Sequence, residues 1–204
     1  MYKNIFFIGF IWVAVFASTH SFAAIDQWKE SYRLESLSQY DVAVKIMDAI
    51  IKNESKNDFA VMRRGWLNYL RGKHDSAISD YKKALTMNKQ SLDAKLGVIL
   101  PLLAQQRWNE AVKFSKDVLK IAPWNYYAHV RLMVAEEGQK RWKTLAKHAD
   151  EMYRRYPSDA TILVYLARAQ RWLGDNGAAR GAYIKVLKRI PGHIEASQFL
   201  LENM

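Results

Sequence analysis

Residues 58–91, DFAVMRRGWLNYLRGKHDSAISDYKKALTMNKQS, set the pattern for the rest of the chain. Small residues recur in this stretch at Gly65, Gly72, Ala77 and Ala84, and aromatic residues lie between them. The spacing predicts two amphipathic helices joined by a tight turn at residues 71–73. Because only small side chains permit close packing, the backbones of the two helices are expected to approach closely.

The same pattern recurs along the chain at a constant interval. At a spacing of 34 residues, one column of the pattern contains Ala43, Ala77, Ala111, Leu145 and Ala179, and a second contains Pro123, Pro157 and Pro191. A period of 34 with a proline ending each helix pair is typical of the tetratricopeptide repeat (TPR). The chain resembles the TPR family at Gly65, Tyr69, Gly72, Ala77, Tyr81 and Ala84 in one repeat, and at Leu173, Gly174, Asp175, Ala179, Tyr183 and Pro191 in another.

This resemblance implies an all-α fold, an α-α superhelical solenoid of about five helix pairs followed by a C-terminal capping helix. In such arrays each repeat buries its apolar face against its neighbours, and the terminal helix has a polar outer side. In the cap, Ile194, Phe199 and Leu201 are therefore expected to face the array. The solvent-exposed side of the cap is expected to carry Glu195, Gln198, Glu202 and Asn203. The predicted repeats are residues 24–57, 58–91, 92–125, 126–159 and 160–193, with the cap at 194–204.

The N-terminus has the features of an export signal. Lys3 precedes an uninterrupted run of apolar or small residues at positions 5–17, and polar residues follow at 18–21. Ser21 and Ala23 provide the small residues that a signal peptidase requires, which predicts a signal peptide of residues 1–23 cut between Ala23 and Ala24. The mature protein is then expected in the periplasm or outside the cell. The alternative is an uncleaved anchor helix, since residues 5–24 could cross a bilayer core of about 30 Å.

The amino-acid composition limits the kinds of partner that the protein can be expected to bind. The chain contains no cysteine, which excludes a disulfide framework and lipid attachment to a cysteine. Its formal net charge of +11 favours an acidic partner, such as an acidic protein or an anionic glycan. A lysine-rich solvated surface explains the same charge equally well. Nucleic acid is not expected as a partner of an exported protein, and a membrane is expected only if the N-terminal helix stays uncleaved.

Catalytic motifs are absent from the sequence. The five histidines are scattered, and no two of them share a metal-ligand spacing. The sequence also lacks HExxH, a glycine-rich phosphate loop, Gly-x-Ser-x-Gly and a cysteine nucleophile. We therefore predict no catalytic residues, no metal site and no cofactor, and a protein that is not an enzyme.

The family resemblance implies that the first helix of each pair lines a concave wall, where TPR proteins usually bind their partners. Aromatic and arginine side chains dominate this predicted wall, and both types are enriched at binding hot spots. Trp66 stands in a position that the family leaves variable and exposed, whereas burial between helices is the alternative for Tyr69. The predicted partner-binding residues are Tyr32, Phe59, Arg63, Trp66, Tyr69, Tyr127, Arg131, Tyr165, Arg168, Arg171 and Trp172.

Two functions fit these features. The first is a periplasmic TPR adaptor that binds a protein or peptide of an envelope assembly, secretion or polymer-export system in its groove. The alternative is a scaffold for an acidic exopolysaccharide or another anionic envelope polymer. The second helix of each predicted pair carries many lysines. These lysines either keep the surface solvated or contact an anionic surface.

Overall fold

The structure is a computed structural model that describes residues 26–203, and this part of the chain contains eleven helices and no strand. The prediction of an all-α fold with about five helix pairs and a C-terminal helix is confirmed. The predicted signal peptide and its cleavage site lie outside the described residues. The helices are α1 (26–36), α2 (Tyr40–Asn53), α3 (Asp58–Leu70), α4 (His74–Met87), α5 (Leu92–Ala104), α6 (Trp108–Ile121), α7 (Tyr126–Gly138), α8 (Trp142–Arg155), α9 (Ala160–Trp172), α10 (Asn176–Leu187) and α11 (Ile194–Glu202).

The starts of the first helices follow from their N-caps. Helices α3, α5, α7, α9 and α11 begin at equivalent positions of successive repeats, and each is preceded by a residue whose side chain accepts a hydrogen bond from a backbone N–H in the first turn. Such a cap satisfies one of the N–H groups that a helix start leaves without a partner. The five caps are Asn57 (2.8 Å), Ser91 (3.1 Å), Asn125 (2.9 Å), Asp159 (3.1 Å) and His193 (3.2 Å).

The turn inside each pair has a second recurring feature, a residue in the left-handed region of backbone conformation. It occurs at Ser38, Gly72, Gln106, Lys140 and Gly174, with φ between 55° and 83°. Glycine adopts this conformation without steric cost, whereas a residue with a Cβ atom loses about 1 kcal/mol. Three of the five turns therefore keep the same backbone path at some cost in stability.

The chain divides into two compact units, one that ends at Lys89 and one that begins at Gln90. In the first unit, α3 and α4 meet closely at Gly65, as predicted. A Cβ atom at this position would lie 3.2 Å from Cβ of Asp80 and 3.3 Å from the ring of Tyr81. The core of this unit includes the fully buried side chains of Met47, Val61 and Leu67.

The second unit comprises α5–α11 and has a continuous run of buried apolar residues along it. Val98, Ile99 and Leu102 of α5 are fully buried. Further along, one cluster contains Met133, Leu145, Ala149, Met152, Ile162 and Ala169. The next contains Leu163, Val164, Ala167, Ala179, Ala182, Tyr183, Val186, Ala196 and Phe199.

Tryptophans at the start of α6 and α8 pack against the last residue of a neighbouring helix. The ring of Trp108 lies over Gly138, where an added Cβ atom would come within 2.6 Å of the indole. The ring of Trp142 stacks on Trp172, with 5.1 Å between ring centroids and 5° between planes. Trp108 and Trp142 occupy one position of successive repeats, and Gly138 and Trp172 occupy another. The two contacts are therefore equivalent, but the residue opposite the tryptophan differs.

The C-terminal helix corrects one prediction. Ile194 and Leu201 were expected to face the array, but their side chains are 81% and 72% exposed. Only Phe199 of the three is buried, at 1% exposure, and it packs against Tyr183 with 4.8 Å between ring centroids. Glu195, expected on the solvent-exposed side, instead accepts hydrogen bonds from Arg168 and Tyr183. The side of α11 that carries Glu195 and Phe199 therefore faces the array, and the side that carries Ile194 and Leu201 faces solvent.

Candidate binding surfaces

Aromatic side chains from α1 and α3 form one surface of the first unit, which we call the aromatic wall and define as Trp28, Tyr32, Phe59, Trp66 and Tyr69. Trp28 and Phe59 stack with 5.2 Å between their ring centroids. Tyr32 and Phe59 are each about half exposed, at 50% and 51%. The wall therefore presents open aromatic faces to solvent, which are the side chains that contribute most to protein interfaces.

Arg63, predicted to contact a partner, lies beneath this wall. Its side chain is only 6% exposed. The guanidinium forms an ion pair with Glu35 and donates hydrogen bonds to the hydroxyl and the carbonyl of Ser31, at 3.3 and 3.2 Å. It also lies 3.9 Å from the ring centroid of Tyr32. The charge of Arg63 is therefore used within the protein, a role that the sequence did not reveal.

Trp66 is less exposed than predicted. Its ring is half-buried, and the indole N–H donates to Glu35 at 2.7 Å. The ring also lies 5.7 Å from that of Tyr69, which is itself half-buried and near His74. The expectation of an exposed Trp66 was wrong because Glu35, at the end of α1, offers an acceptor that the α3 sequence alone does not show.

A second charged network holds α3 from its other side. Asp80 of α4 is buried and accepts two hydrogen bonds from Arg64, at 2.6 and 3.0 Å, and one from Asn68 at 2.8 Å. Arg64 also donates to Asp48 of α2 at 2.7 Å. The bonds to Asp80 raise the pKa of Arg64 above its usual value. Charge-assisted bonds on both sides of α3 thus fix the helix that carries three of the five wall residues.

The second unit has three exposed aromatic side chains, Trp124, Tyr127 and Trp172, and the last two are the most exposed. Tyr127 projects from the start of α7, where Arg131 lies 5.8 Å from its ring centroid and donates to the carbonyl of Leu96 at 2.8 Å. Trp172, 66% exposed, ends α9 and stacks on Trp142. Arg171 is exposed beside it, 3.8 Å from Glu202 and 5.3 Å from the ring of Phe199.

Arg168, another predicted contact residue, is bound between two carboxylates. It donates to Glu195 at 2.6 to 3.1 Å and to Glu137 at the longer distances of 3.3 and 3.4 Å. Burial raises the pKa of Glu137, and Arg168 offsets this only in part. Burial also acts to raise the pKa of Glu195, but the bonds from Arg168 and Tyr183 outweigh it and leave that pKa lowered. Tyr165, half-buried nearby, lines a cleft of about 200 Å³ with Arg168.

The structure also brings together two histidines that sequence spacing kept apart. Nε2 of His129 lies 2.9 Å from the carbonyl of Pro123, Nδ1 of His129 lies 2.8 Å from Nε2 of His148, and Nδ1 of His148 lies 2.9 Å from Glu136. Since a carbonyl can only accept, Nε2 of His129 carries a proton. In neutral His129, Nδ1 then accepts from Nε2–H of His148, and His148 donates to Glu136 as well only when both of its ring nitrogens carry a proton.

Acid should weaken this chain of hydrogen bonds. Burial lowers the pKa of His129, the Pro123 carbonyl raises it in part, and the nearby His148 lowers it further. Glu151 and Glu136 act in the opposite direction. A second proton on His129 would place two N–H donors against each other at the contact with His148. The folded-state pKa lies below the unfolded value of about 6.5, so the unfolded chain takes up more protons as the pH falls.

We therefore expect the melting temperature to fall as the pH is lowered from about 7 to about 5, across the unperturbed histidine pKa. Thermal unfolding followed by circular dichroism measures this. The control is His129→Gln, which keeps a donor for the Pro123 carbonyl but does not titrate in this range. The variant should show a shallower fall, and an identical slope in both proteins would assign the pH dependence to other groups.

Within residues 26–203, no group of three or more potential metal-binding side chains has the arrangement needed to hold a metal ion. None of the helices in the same range is both long and apolar enough to cross a bilayer. Helix pairs repeated along the described residues define the class of protein, an all-α helical repeat protein.

The comparisons with known proteins agree with the resemblance to the TPR family. A family model described as a tetratricopeptide repeat matches residues 29–94 of the chain. No curated protein matches the chain.

Solved structures share its fold. MamA (residues 41 to the end) from Desulfovibrio magneticus RS-1 is 16% identical with a TM-score of 0.76, and the match covers 84% of this chain and 97% of that one. YrrB, described as a TPR protein with an unusual peptide-binding site, is 14% identical with a TM-score of 0.71, over 86% and 90% of the two chains. A TPR protein of Thermus thermophilus is 15% identical with a TM-score of 0.65, over 87% and 99%.

Proposed function

We propose that this protein is a non-enzymatic scaffold that binds a protein or peptide partner through the aromatic wall of its first unit. The observation that carries the proposal is the combination of exposed rings with a rigid support. Tyr32 and Phe59 are half exposed, while the guanidinium beneath Tyr32 is fixed by Glu35 and Ser31. Rings held in place lose little entropy on binding, which favours affinity.

The contacts of Arg63 also indicate the chemistry of the partner. Because Glu35 already neutralises this arginine, the wall offers aromatic area rather than a charge for a carboxylate. We infer that a partner contributes apolar side chains to the wall, and that an acidic partner would find its cations elsewhere. The peptide-binding site named for YrrB shows that another protein of this fold binds peptides, which supports the proposal.

The proposed location is the periplasm or the outside of the cell, and the proposed role is in envelope assembly, secretion or polymer export. The support is the sequence of residues 1–23, where Lys3, an apolar run and the small residues Ser21 and Ala23 have the order of a signal peptide. A retained N-terminal helix would instead attach the same scaffold to the membrane.

An aromatic truncation on the wall tests the binding proposal. Phe59→Ala should weaken binding to peptides selected from a random library on the full chain by about 2 kcal/mol, close to thirtyfold, since buried aromatics dominate hot spots. Its melting temperature should change little because half of the ring is already exposed. Calorimetry or fluorescence polarisation gives the affinity.

The matched control is Val42→Ala, which truncates an apolar residue of similar exposure on α2, away from the wall. Binding should survive this change. If both variants bind equally well, or if no library peptide binds the chain, the aromatic wall is not the partner site.

A scaffold for an acidic glycan is the second candidate, and one observation favours it. The parallel stack of Trp142 and Trp172 leaves a broad open ring face on Trp172, and Arg171 lies next to it in sequence with its nearest carboxylate 3.8 Å away. Ring faces beside a cation suit the sugar rings and carboxylates of such polymers. Binding of an acidic polysaccharide that is lost in Trp172→Ala and kept in Phe59→Ala would favour this candidate.

A further inference from the structure

The second helices of the second unit carry a strongly one-sided charge. Helices α6, α8 and α10, with the two residues that follow α10, expose eleven lysines and arginines, and Glu151 is the one acid exposed on them within the described chain. The other acids of these helices, Glu110, Asp117 and Asp150, are only half exposed. We call this surface the basic face. Its cations are Lys113, Lys116, Lys120, Lys143, Lys147, Arg154, Arg155, Arg180, Lys185, Lys188 and Arg189.

The cations of the basic face fall into two groups. Some have intramolecular contacts: Lys120 pairs with Asp117 at 2.9 Å, and Arg154 pairs with Asp150 at 2.7 Å. Others have no partner among the described residues. These unpartnered lysines are Lys113, Lys116, Lys143, Lys147 and Lys188. None of these five lysines forms an ion pair with a carboxylate of the described residues, so the face as a whole remains basic.

Contacts between turns and helices keep the three helices of this face side by side. Arg155 of α8 lies 4.2 Å from the ring centroid of Trp124, which follows α6. Arg189, at the equivalent position of the next repeat, donates to the carbonyls of Pro157 and Ser158, which follow α8, at 2.6 and 3.1 Å. Lys185 of α10 lies 4.9 Å from the ring centroid of Tyr153 in α8. The cations are therefore held on one continuous surface.

The positions of the cations follow the repeat. Lys120, Arg154 and Lys188 occupy one position of three successive repeats, and Lys113 and Lys147 share another. In the first unit the corresponding positions hold Thr86 and Ser79 in α4, and Lys52 and Lys45 in α2, so lysine at these positions is not confined to the second unit. Residues 90–204 carry 18 lysines and arginines against 11 acids, whereas residues 26–89 carry 12 against 9. Much of the net charge of the chain is thus concentrated on this unit.

We propose that the basic face binds the headgroup layer of an anionic lipid bilayer. Lysine ammonium groups distributed over three helices suit an extended layer of phosphates, because each group near the surface adds to the attraction. Recognition of single-stranded nucleic acid relies on stacking of bases on aromatic rings. Of the aromatic side chains on α6, α8 and α10, none is more than half exposed in the described chain. The apolar run at residues 5–17, typical of export signals and anchors, also predicts that the chain meets a membrane.

Vesicle flotation with the full chain tests the proposal. The chain should bind vesicles that contain phosphatidylglycerol more tightly than vesicles of phosphatidylcholine alone, and the difference should shrink as salt is raised. Comparing the two lipids separates the basic face from residues 1–25, whose apolar side chains would insert into either. Reversing four lysines, with Lys113→Glu, Lys116→Glu, Lys143→Glu and Lys147→Glu together, should lower binding to anionic vesicles about a hundredfold or more.

The matched control reverses four exposed lysines of the first unit, with Lys29→Glu, Lys45→Glu, Lys52→Glu and Lys56→Glu together. It changes the net charge by the same amount and should keep most of the preference for anionic lipid. Circular dichroism checks that both variants are folded. Equal losses in the two variants, no preference for anionic vesicles, or tighter binding to RNA or an acidic polysaccharide than to vesicles would each overturn the proposal.

Discussion

Arg63→Ala is expected to lower the free energy of unfolding by about 3 kcal/mol. The change removes one member of a largely buried ion pair, which leaves the carboxylate of Glu35 without its cation. It also removes two hydrogen bonds to Ser31, a residue that is fully buried, and the contact with the ring of Tyr32. Urea denaturation of the full chain measures the loss.

Arg33→Ala provides the comparison for this prediction. Arg33 lies on α1 and pairs with Glu30 within the same helix, but both side chains are exposed. Exposed pairs contribute little, so this variant should unfold at nearly the same urea concentration as the unchanged chain. If the two arginine variants unfold at the same urea concentration, the ion pair beneath the aromatic wall does not support the fold.

Phe199→Ala should lower the free energy of unfolding of the second unit by a similar amount, about 3 kcal/mol. The ring is almost completely buried against Tyr183 and within the cluster formed by α9, α10 and α11. Truncating a buried phenylalanine removes its transfer free energy and leaves a cavity. Thermal or urea unfolding that reports on the C-terminal helices gives the value.

Leu201→Ala tests the same helix from the other side. Leu201 is 72% exposed, so its truncation should change stability by less than about 0.5 kcal/mol. The pair of variants reports directly on the orientation of α11. A loss at Leu201 as large as that at Phe199 would instead favour the orientation expected from the sequence.

The sequence predicted the fold well because the features that build it are local and repeated. Small residues such as Gly65 and Ala77 mark where helices approach, and prolines such as Pro123 and Pro157 follow the ends of helix pairs at a constant spacing. Each of these signals acts within a few residues of its own position. A periodic sequence therefore carries enough information to predict helix pairs and their order.

The candidate site could not be predicted to the same extent because its charges pair between helices. Arg63 and Arg168 were predicted to face a partner, but Glu35 and Glu195 neutralise them from helices of the adjacent repeat. The same holds for His129 and His148, which meet only after α7 and α8 pack. Hydrophobic periodicity places a residue on a face of a helix, whereas the partner of its charge depends on the neighbouring helix.

The two tryptophan contacts of the second unit have different residues opposite the tryptophan, so the repeats that form them are not equivalent. Trp108 requires the bare backbone of Gly138, whereas Trp142 is matched to the broad ring of Trp172. Exchanging the last two repeats would press Trp108 against Trp172 and would leave Asn176 opposite a glycine. Although the helix pairs share one geometry, these contacts fit only when the repeats follow each other in their present order. The repeats of this unit are therefore not interchangeable.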